Sequence, residues 1–207
     1  MIDTAFLITA FVTMFVVIDP IGLAPLFVAL TQGVPPKQRR NIALRACGLG
    51  MAILIVFGLF GEAVLGFIGI SMPAFRVAGG ILLFLTALDM LFERRTKRRE
   101  DQSEEEDFDD PSVFPLAIPL IAGPGAIASV ILLTGQRPGP EGLALVLGIT
   151  AVVLCVVLIL FLASSLLERV LGKTGITVVT RLLGMLLAAL SVQFVLEGLR
   201  DFGLIPG

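Results

Sequence analysis

One aspartate lies in the middle of an otherwise uncharged segment of membrane-spanning length. Asp19 is the only charged residue between positions 4 and 36, and helix breakers follow it in the stretch FVVIDPIGLAPLF, residues 15–27. Its carboxylate can bind an ammonium group or a proton. It can also cap a helix that starts at Pro20, where the missing backbone donor is tolerated and Gly22 adds freedom. We therefore predict a break at Asp19 between two helices and reversible binding of a small cationic group there.

The second half of the chain contains a similar break in PLAIPLIAGPGAIASVILLT, residues 115–134. We expect a helix to start near Pro124, and the free N–H groups of its first turn carry about half a positive charge, which suits a carboxylate. Glycine at 123 and 125 would let that carboxylate approach the backbone. A site with both breaks is complementary to a zwitterion, that is, a small neutral amino acid. The predicted substrate-binding residues are Asp19, Pro20, Gly22, Gly123, Pro124, Gly125 and Ser129.

We expect these residues to lie on membrane helices. The chain has 207 residues, of which 57% are hydrophobic and 15% charged, a composition typical of an integral membrane protein. It has no histidine and two cysteines outside any metal-binding spacing, so we expect no metal site and no cofactor. We also expect no nucleic-acid partner. We predict an all-α, polytopic protein, with the first and fourth spans broken near the midplane of the membrane. The six predicted spans are 4–31, 42–61, 74–92, 113–134, 143–167 and 178–199.

Lysine and arginine are distributed very unevenly across these spans. With the N-terminus outside, twelve of them lie on the inner side and three on the outer side. The outer three are Arg76, Arg137 and Arg200. Since positive charge accumulates on the cytoplasmic side, we predict that both termini are extracytoplasmic and periplasmic in a bacterium. The segment 94–111, basic and then acidic, is predicted to be a charged cytoplasmic loop.

The two halves of the chain resemble each other. VLGFIGIS at 64–71 recurs as VLGKTGIT at 170–177, and Arg76, Gly79 and Thr86 correspond to Arg181, Gly184 and Ser191 at an offset of about 105 residues. Each half has three spans, so the second must enter the membrane from the opposite side. We therefore predict two inverted three-span repeats, 1–93 and 112–207, as in many secondary transporters.

Three functional classes remain open from the residues. The first is a secondary transporter of small neutral amino acids that works by alternating access, in which proton or sodium coupling, import or export and a homo-oligomer all stay open. The second is a structural or regulatory membrane subunit in which Asp19 only caps a kinked helix. The third, an intramembrane enzyme, is disfavoured because the only aspartate pair, Asp19 and Asp89, lacks a protease motif. We predict no enzymatic activity and no catalytic residues.

Two segments also carry a family resemblance. DPIGLAPLFVALT at 19–31 and FPLAIPLIAGPGAI at 114–127 resemble the hallmark segments of the MarC family of bacterial inner-membrane proteins, related to the LysE-type exporters, and the six-span layout covers essentially the whole chain. This resemblance implies the bacterial inner membrane and a transport role. Asp19, Pro20, Gly22, Gly123, Pro124 and Gly125 match the motifs, and some members of the family are described as small neutral amino acid transporters.

Overall fold

The computed structural model describes residues 4–92 and 110–204, and all regular structure in those ranges is helical. The predicted cytoplasmic loop at 94–111 therefore lies almost wholly outside the described residues. The eight helices of the described ranges are α1 Thr4–Ile18, α2 Pro20–Leu30, α3 Pro36–Ile68, α4 Met72–Leu91, α5 Ser112–Ile121, α6 Pro124–Gln136, α7 Pro140–Leu162 and α8 Ser164–Asp201.

Proline starts several of these helices. α2, α3, α6 and α7 each have a proline as their first residue, where the missing N–H and the fixed φ angle do no harm. Between α3 and α4, Gly69 adopts a left-handed conformation with φ 86°, and Ser71 accepts a hydrogen bond from the backbone of Ala74 at 3.4 Å. The chain therefore reverses direction within three residues.

Five helical segments within the described residues are long and apolar enough to cross a membrane. These are Thr4–Leu30, with α1 and α2 taken together, and Pro36–Ile68, Met72–Leu91, Pro140–Leu162 and Thr174–Asp201. A sixth is present if α5 and α6, which are bent by 51° at their junction, form one span. The predicted fifth span, 143–167, ends too late: α7 stops at Leu162, and Gly172 with φ 60° separates a short helical segment from the last span.

α5 is much less regular than the predicted fourth span. Phe114 and Ile118 have extended backbone angles inside it, each just before a proline. A residue before proline is sterically pushed out of the α region, so the prolines at 115 and 119 prevent an ordinary α-helix here. The fourth span therefore consists of an irregular entry segment followed by the regular helix α6.

α4 and α8 pack against each other along most of their length and run antiparallel. At three glycines, an added β-carbon would lie 2.9–3.2 Å from a carbonyl oxygen of the other helix. These pairs fix the direction, in order along α4: Pro73 with Gly198, Gly80 with Ser191, and Ala87 with Gly184. Such close approach of two backbones requires residues without side chains at the contacts.

Several of the remaining contacts have an equivalent in the other half. α3 packs on α5 and α6, and α7 packs correspondingly on α1 and α2. Likewise α4 packs on α6, and α8 packs on α2, while α3 and α7 contact each other. If α1, α2, α3 and α4 are taken as the counterparts of α5, α6, α7 and α8, each of these contacts is therefore matched by the contact of the counterpart helices.

Within the described residues, two ion pairs lie at opposite ends of the helices, and each joins the first half to the second half or to a residue just before it. Arg45 of α3 contacts Asp110 at 2.9 Å, and Arg76 of α4 contacts Asp201 at the end of α8. Arg45 lies roughly 34 Å from the end of α3, counting ~1.5 Å for each residue up to Ile68, and α4 begins just beyond that end. The distance between the two pairs is thus similar to the thickness of a hydrocarbon core, about 30 Å.

Asp110 also binds the segment that begins α5. Its carboxylate accepts hydrogen bonds from the backbone N–H of Ser112 at 3.0 Å and from the Ser112 hydroxyl at 2.5 Å. The hydrogen bond from the Ser112 hydroxyl and the positive charge of the nearby Arg45 hold the pKa of the Asp110 carboxyl below its usual range. The stability that this contact contributes is present at neutral pH and is lost as the pH falls through that lowered pKa.

Candidate functional site: two neighbouring helix breaks

Asp19 occupies the single residue between α1 and α2. Its backbone is left-handed, with φ 58° and ψ 64°, and it is the only non-glycine residue with positive φ in the ranges that the structure describes. This conformation costs most L-residues roughly 1–2 kcal/mol, but aspartate and asparagine tolerate it better. Its carboxylate accepts a hydrogen bond from the backbone N–H of Gly22 at 3.1 Å. Asp19 therefore forms the turn and caps α2 with the same side chain.

Gly22 is needed because the Asp19 carboxylate lies directly on it. A β-carbon at position 22 would overlap an oxygen of that carboxylate. On either side of the turn, helical bonding resumes at once, since Asp19 N–H donates to Phe15 at 2.9 Å and Leu23 N–H donates to the Asp19 carbonyl at 3.0 Å. The interruption is local, and it holds the carboxylate in one place.

The second break is built from Gly123 and Pro124. Gly123 is extended, with φ −81° and ψ 171°, and its carbonyl accepts the first hydrogen bond of α6 from Ile127 at 3.0 Å. A β-carbon at position 123 would overlap the carbonyl oxygen of Pro119. Gly123 is therefore required for backbone packing at the bend, and protein atoms occupy the face that we expected to admit a carboxylate.

Gly125 brings the two breaks together. A β-carbon on it would lie 3.2 Å from Val17, 3.6 Å from Leu83 and 3.7 Å from the Thr86 hydroxyl. Val17 is two residues before Asp19, so the first turn of α6 lies against the end of α1. In this conformation the side chains of α1 and α4 fill the space beside Gly125, and its role is close helix packing rather than open access for a ligand.

Burial divides the predicted site residues into two groups. Asp19 is 1% exposed, Ser129 is fully buried, and Pro20 and Gly123 are also buried. Gly22 and Gly125 are half-buried, whereas Pro124 is exposed. The first break thus lies inside the protein, and the second reaches from the interior to the surface.

The hydroxyl groups near the breaks differ in how they are bonded. Ser129 donates to the Gly125 carbonyl at 2.8 Å, one turn earlier, and Thr86 donates in the same way to Leu82 at 3.0 Å. Thr13 of α1 is fully buried, and its hydroxyl has no hydrogen bond to any described residue. An unbonded hydroxyl in a core is costly, and this one lies on α1 six residues before Asp19. The sequence carries no distinguishing signal for it, because threonine is common in membrane helices.

The chemistry that this arrangement can perform is binding. A buried carboxylate at a helix start can accept a proton or an ammonium group, and the neighbouring start of α6 offers partial positive charge. Across the described ranges, no group of three or more histidine, cysteine, aspartate or glutamate side chains could hold a metal ion.

Comparison with known proteins places the chain in a family. A UPF0056 membrane protein of Methanocaldococcus jannaschii is 37% identical over 202 residues, covering 96% of this chain and 98% of the relative. The UPF0056 membrane protein YvbG of Bacillus subtilis is 35% identical (98% and 97%), and the UPF0056 inner membrane protein YhgN of Escherichia coli is 34% identical (94% and 96%). No solved structure matches the chain. A family model described as MarC family integral membrane protein matches residues 4–202, and the chain belongs to that family.

Proposed function

We propose that this protein is a secondary transporter that moves a small neutral amino acid across the cytoplasmic membrane by alternating access. The observation that carries the proposal is the buried Asp19 carboxylate at a helix break, with the start of α6 packed beside it. A carboxylate near the bilayer centre costs about 2.5–3.5 kcal/mol, whereas an N-cap contributes about 1 kcal/mol. Acidic residues at that depth usually mark a substrate or ion pathway, which favours a functional role.

The packing of the helices supports an inverted repeat. Equivalent helices of two inverted copies are related by an axis in the membrane plane, and a helix beside such an axis packs antiparallel to its counterpart. α4 and α8 do so, and the exchange of contacts between the two halves has the same explanation. The residue pairs between α4 and α8, together with the offset of about 105 residues between the halves, put the expected centre of this symmetry near Leu83. Leu83 also contacts Gly125. The axis would therefore pass close to the two breaks, where transporters with such repeats bind substrate.

The substrate class follows from the charges at the two breaks. Asp19 would bind the ammonium group, and the first turn of α6 would bind the carboxylate after the half-buried face of Gly125 opens. A small side chain is expected because Val17, Leu83 and Thr86 already crowd this region. Asp19 is also the residue through which a coupling proton or sodium ion would act.

Transport by the reconstituted protein tests the proposal. We expect proteoliposomes to take up a radiolabelled small neutral amino acid and protein-free liposomes not to. Replacing the carboxylate of the substrate by an amide removes a charge-assisted hydrogen bond of about 1.5–3 kcal/mol, so the amide should compete roughly tenfold or more weakly. An amide that competes equally would exclude the carboxylate site. Absence of uptake with every small amino acid would favour the structural or regulatory alternative.

The proposed orientation has both termini outside and the loop near 94–111 inside. The name of the YhgN relative supports an inner-membrane location where a cell has two membranes. We expect a periplasmically active reporter fused after the last residue to be active and the same reporter inserted at 100 to be inactive. A cytoplasmically active reporter at the same two positions should give the reverse pattern, and any other result contradicts the inverted repeat.

A further inference from the structure

Two arginines near the start of α3 line a small cavity beside the end of α7. The cavity has a volume of about 200 Å³ and is lined by Val34, Pro36, Arg39, Arg40, Phe161 and Leu162. Typical pockets for drug-sized ligands occupy roughly 300–1,000 Å³, so this cavity suits a small group rather than a whole metabolite. None of these six residues has a carboxylate.

Arg39 is held in place by its neighbours. Its guanidinium lies over the ring of Phe27 at 5.1 Å, and Phe27 stacks on Phe161 with ring centres 4.4 Å apart. Its Nη2 donates a hydrogen bond of 2.6 Å to the hydroxyl of Ser164. These contacts restrict the side chain before any ligand arrives, while most donors of the guanidinium remain for a ligand.

The charge of the two arginines is not neutralised within the described part of the chain. Arg45 and Arg76 form ion pairs in that part, whereas Arg39 and Arg40 pair with none of its carboxylates. Arg40 is exposed and Arg39 is half-exposed, so both can be reached from the surface. Two guanidinium groups at one cavity, neither paired with a described carboxylate, favour an anion with several oxygen acceptors.

The apolar residues beside the two arginines indicate that the cavity lies at the level of the membrane surface. Leu162 is 54% exposed at the end of α7, next to the cationic start of α3. In the proposed orientation this end of the bundle is cytoplasmic, where anionic lipid headgroups and inorganic phosphate are both present. We propose that Arg39 and Arg40 form a binding site for a phosphate group, supplied by an anionic lipid headgroup or by free phosphate. The proposal does not depend on amino acid transport.

Thermal unfolding of the purified full-length protein in detergent tests this site. The probes are sodium phosphate against sodium chloride of equal ionic strength, and short-chain phosphatidylglycerol against short-chain phosphatidylcholine. A concentration-dependent rise in the unfolding temperature with phosphate identifies the free anion as a ligand. A rise with phosphatidylglycerol alone identifies the lipid headgroup. No rise with either probe overturns the proposal.

Three variants that each remove one positive charge show whether the two arginines are responsible for the rise in unfolding temperature. Arg39→Gln and Arg40→Gln should each weaken the apparent affinity roughly tenfold or more, because each removes charge-assisted hydrogen bonds. Arg40 is exposed, so its replacement should leave the fold intact. Lys37→Gln removes the same charge from the first turn of α3 outside the cavity and should change the affinity less than about twofold. Equal losses in all three variants would mean non-specific attraction and overturn the proposal.

Discussion

Asp19→Asn is expected to abolish amino acid transport while the protein stays folded. Asparagine tolerates the left-handed backbone of residue 19 and caps a helix about as well as aspartate, so the turn and the hydrogen bond from Gly22 are kept. Only the charge is lost. The measurement is uptake into proteoliposomes, with thermal unfolding of the same preparation.

Asp19→Ala separates the structural from the functional contribution. Alanine has neither the cap, worth about 1 kcal/mol, nor the tolerance for left-handed backbone, worth roughly another 1 kcal/mol. We therefore expect the alanine variant to lose stability as well as transport, whereas the asparagine variant loses transport alone. Full transport by Asp19→Asn would show that Asp19 is only a structural cap.

Gly80→Ala is expected to destabilise the protein by about 1–3 kcal/mol, the usual range for overpacking a tight core. The added β-carbon would lie 2.9 Å from the carbonyl oxygen of Ser191, and 2.7 Å and 3.0 Å from two atoms of Val195. Two of these three atoms belong to the backbone of α8 and cannot move without moving the helix. The change in the free energy of unfolding in mixed micelles measures the effect.

Gly48 of α3 provides the matched control. Its added β-carbon would meet no atom within 4 Å, and the residue is exposed. Gly48→Ala should therefore be neutral or stabilise by up to about 1 kcal/mol, since alanine is the better helix former. If both substitutions had the same effect, the close approach of α4 and α8 would not be a source of stability.

The sequence predicts the helices better than their arrangement. Proline and glycine act on the backbone locally, so the residues around Asp19 and Pro124 mark helix starts within one or two positions of those observed. The irregularity of α5 was also encoded locally, by the prolines at 115 and 119, but our prediction located a break only at residues 123–125. The exposure of Pro124 depends on neighbouring helices and has no local signal.

Packing partners are hard to read from this sequence for a physical reason. In a soluble protein, the apolar face of a helix identifies its buried side. Lipid tails are as apolar as a protein core, so exposed Ile8 and buried Leu83 are both hydrophobic. Glycines such as Gly80 and Gly184 are the main clue, and glycine is too frequent in membrane helices to identify a partner without the structure.

The ion pairs at the two ends of the helices have a consequence for any motion of one half against the other, since Asp110 is itself hydrogen-bonded to Ser112 at the start of α5. Both Arg45 with Asp110 and Arg76 with Asp201 are formed in the same conformation, and Asp19 between their levels is buried. Separating the halves at one end would break one pair and leave the other intact. In the transport cycle proposed above, opening one end at a time would therefore break one ion pair at each step, whereas opening both ends at once would break both.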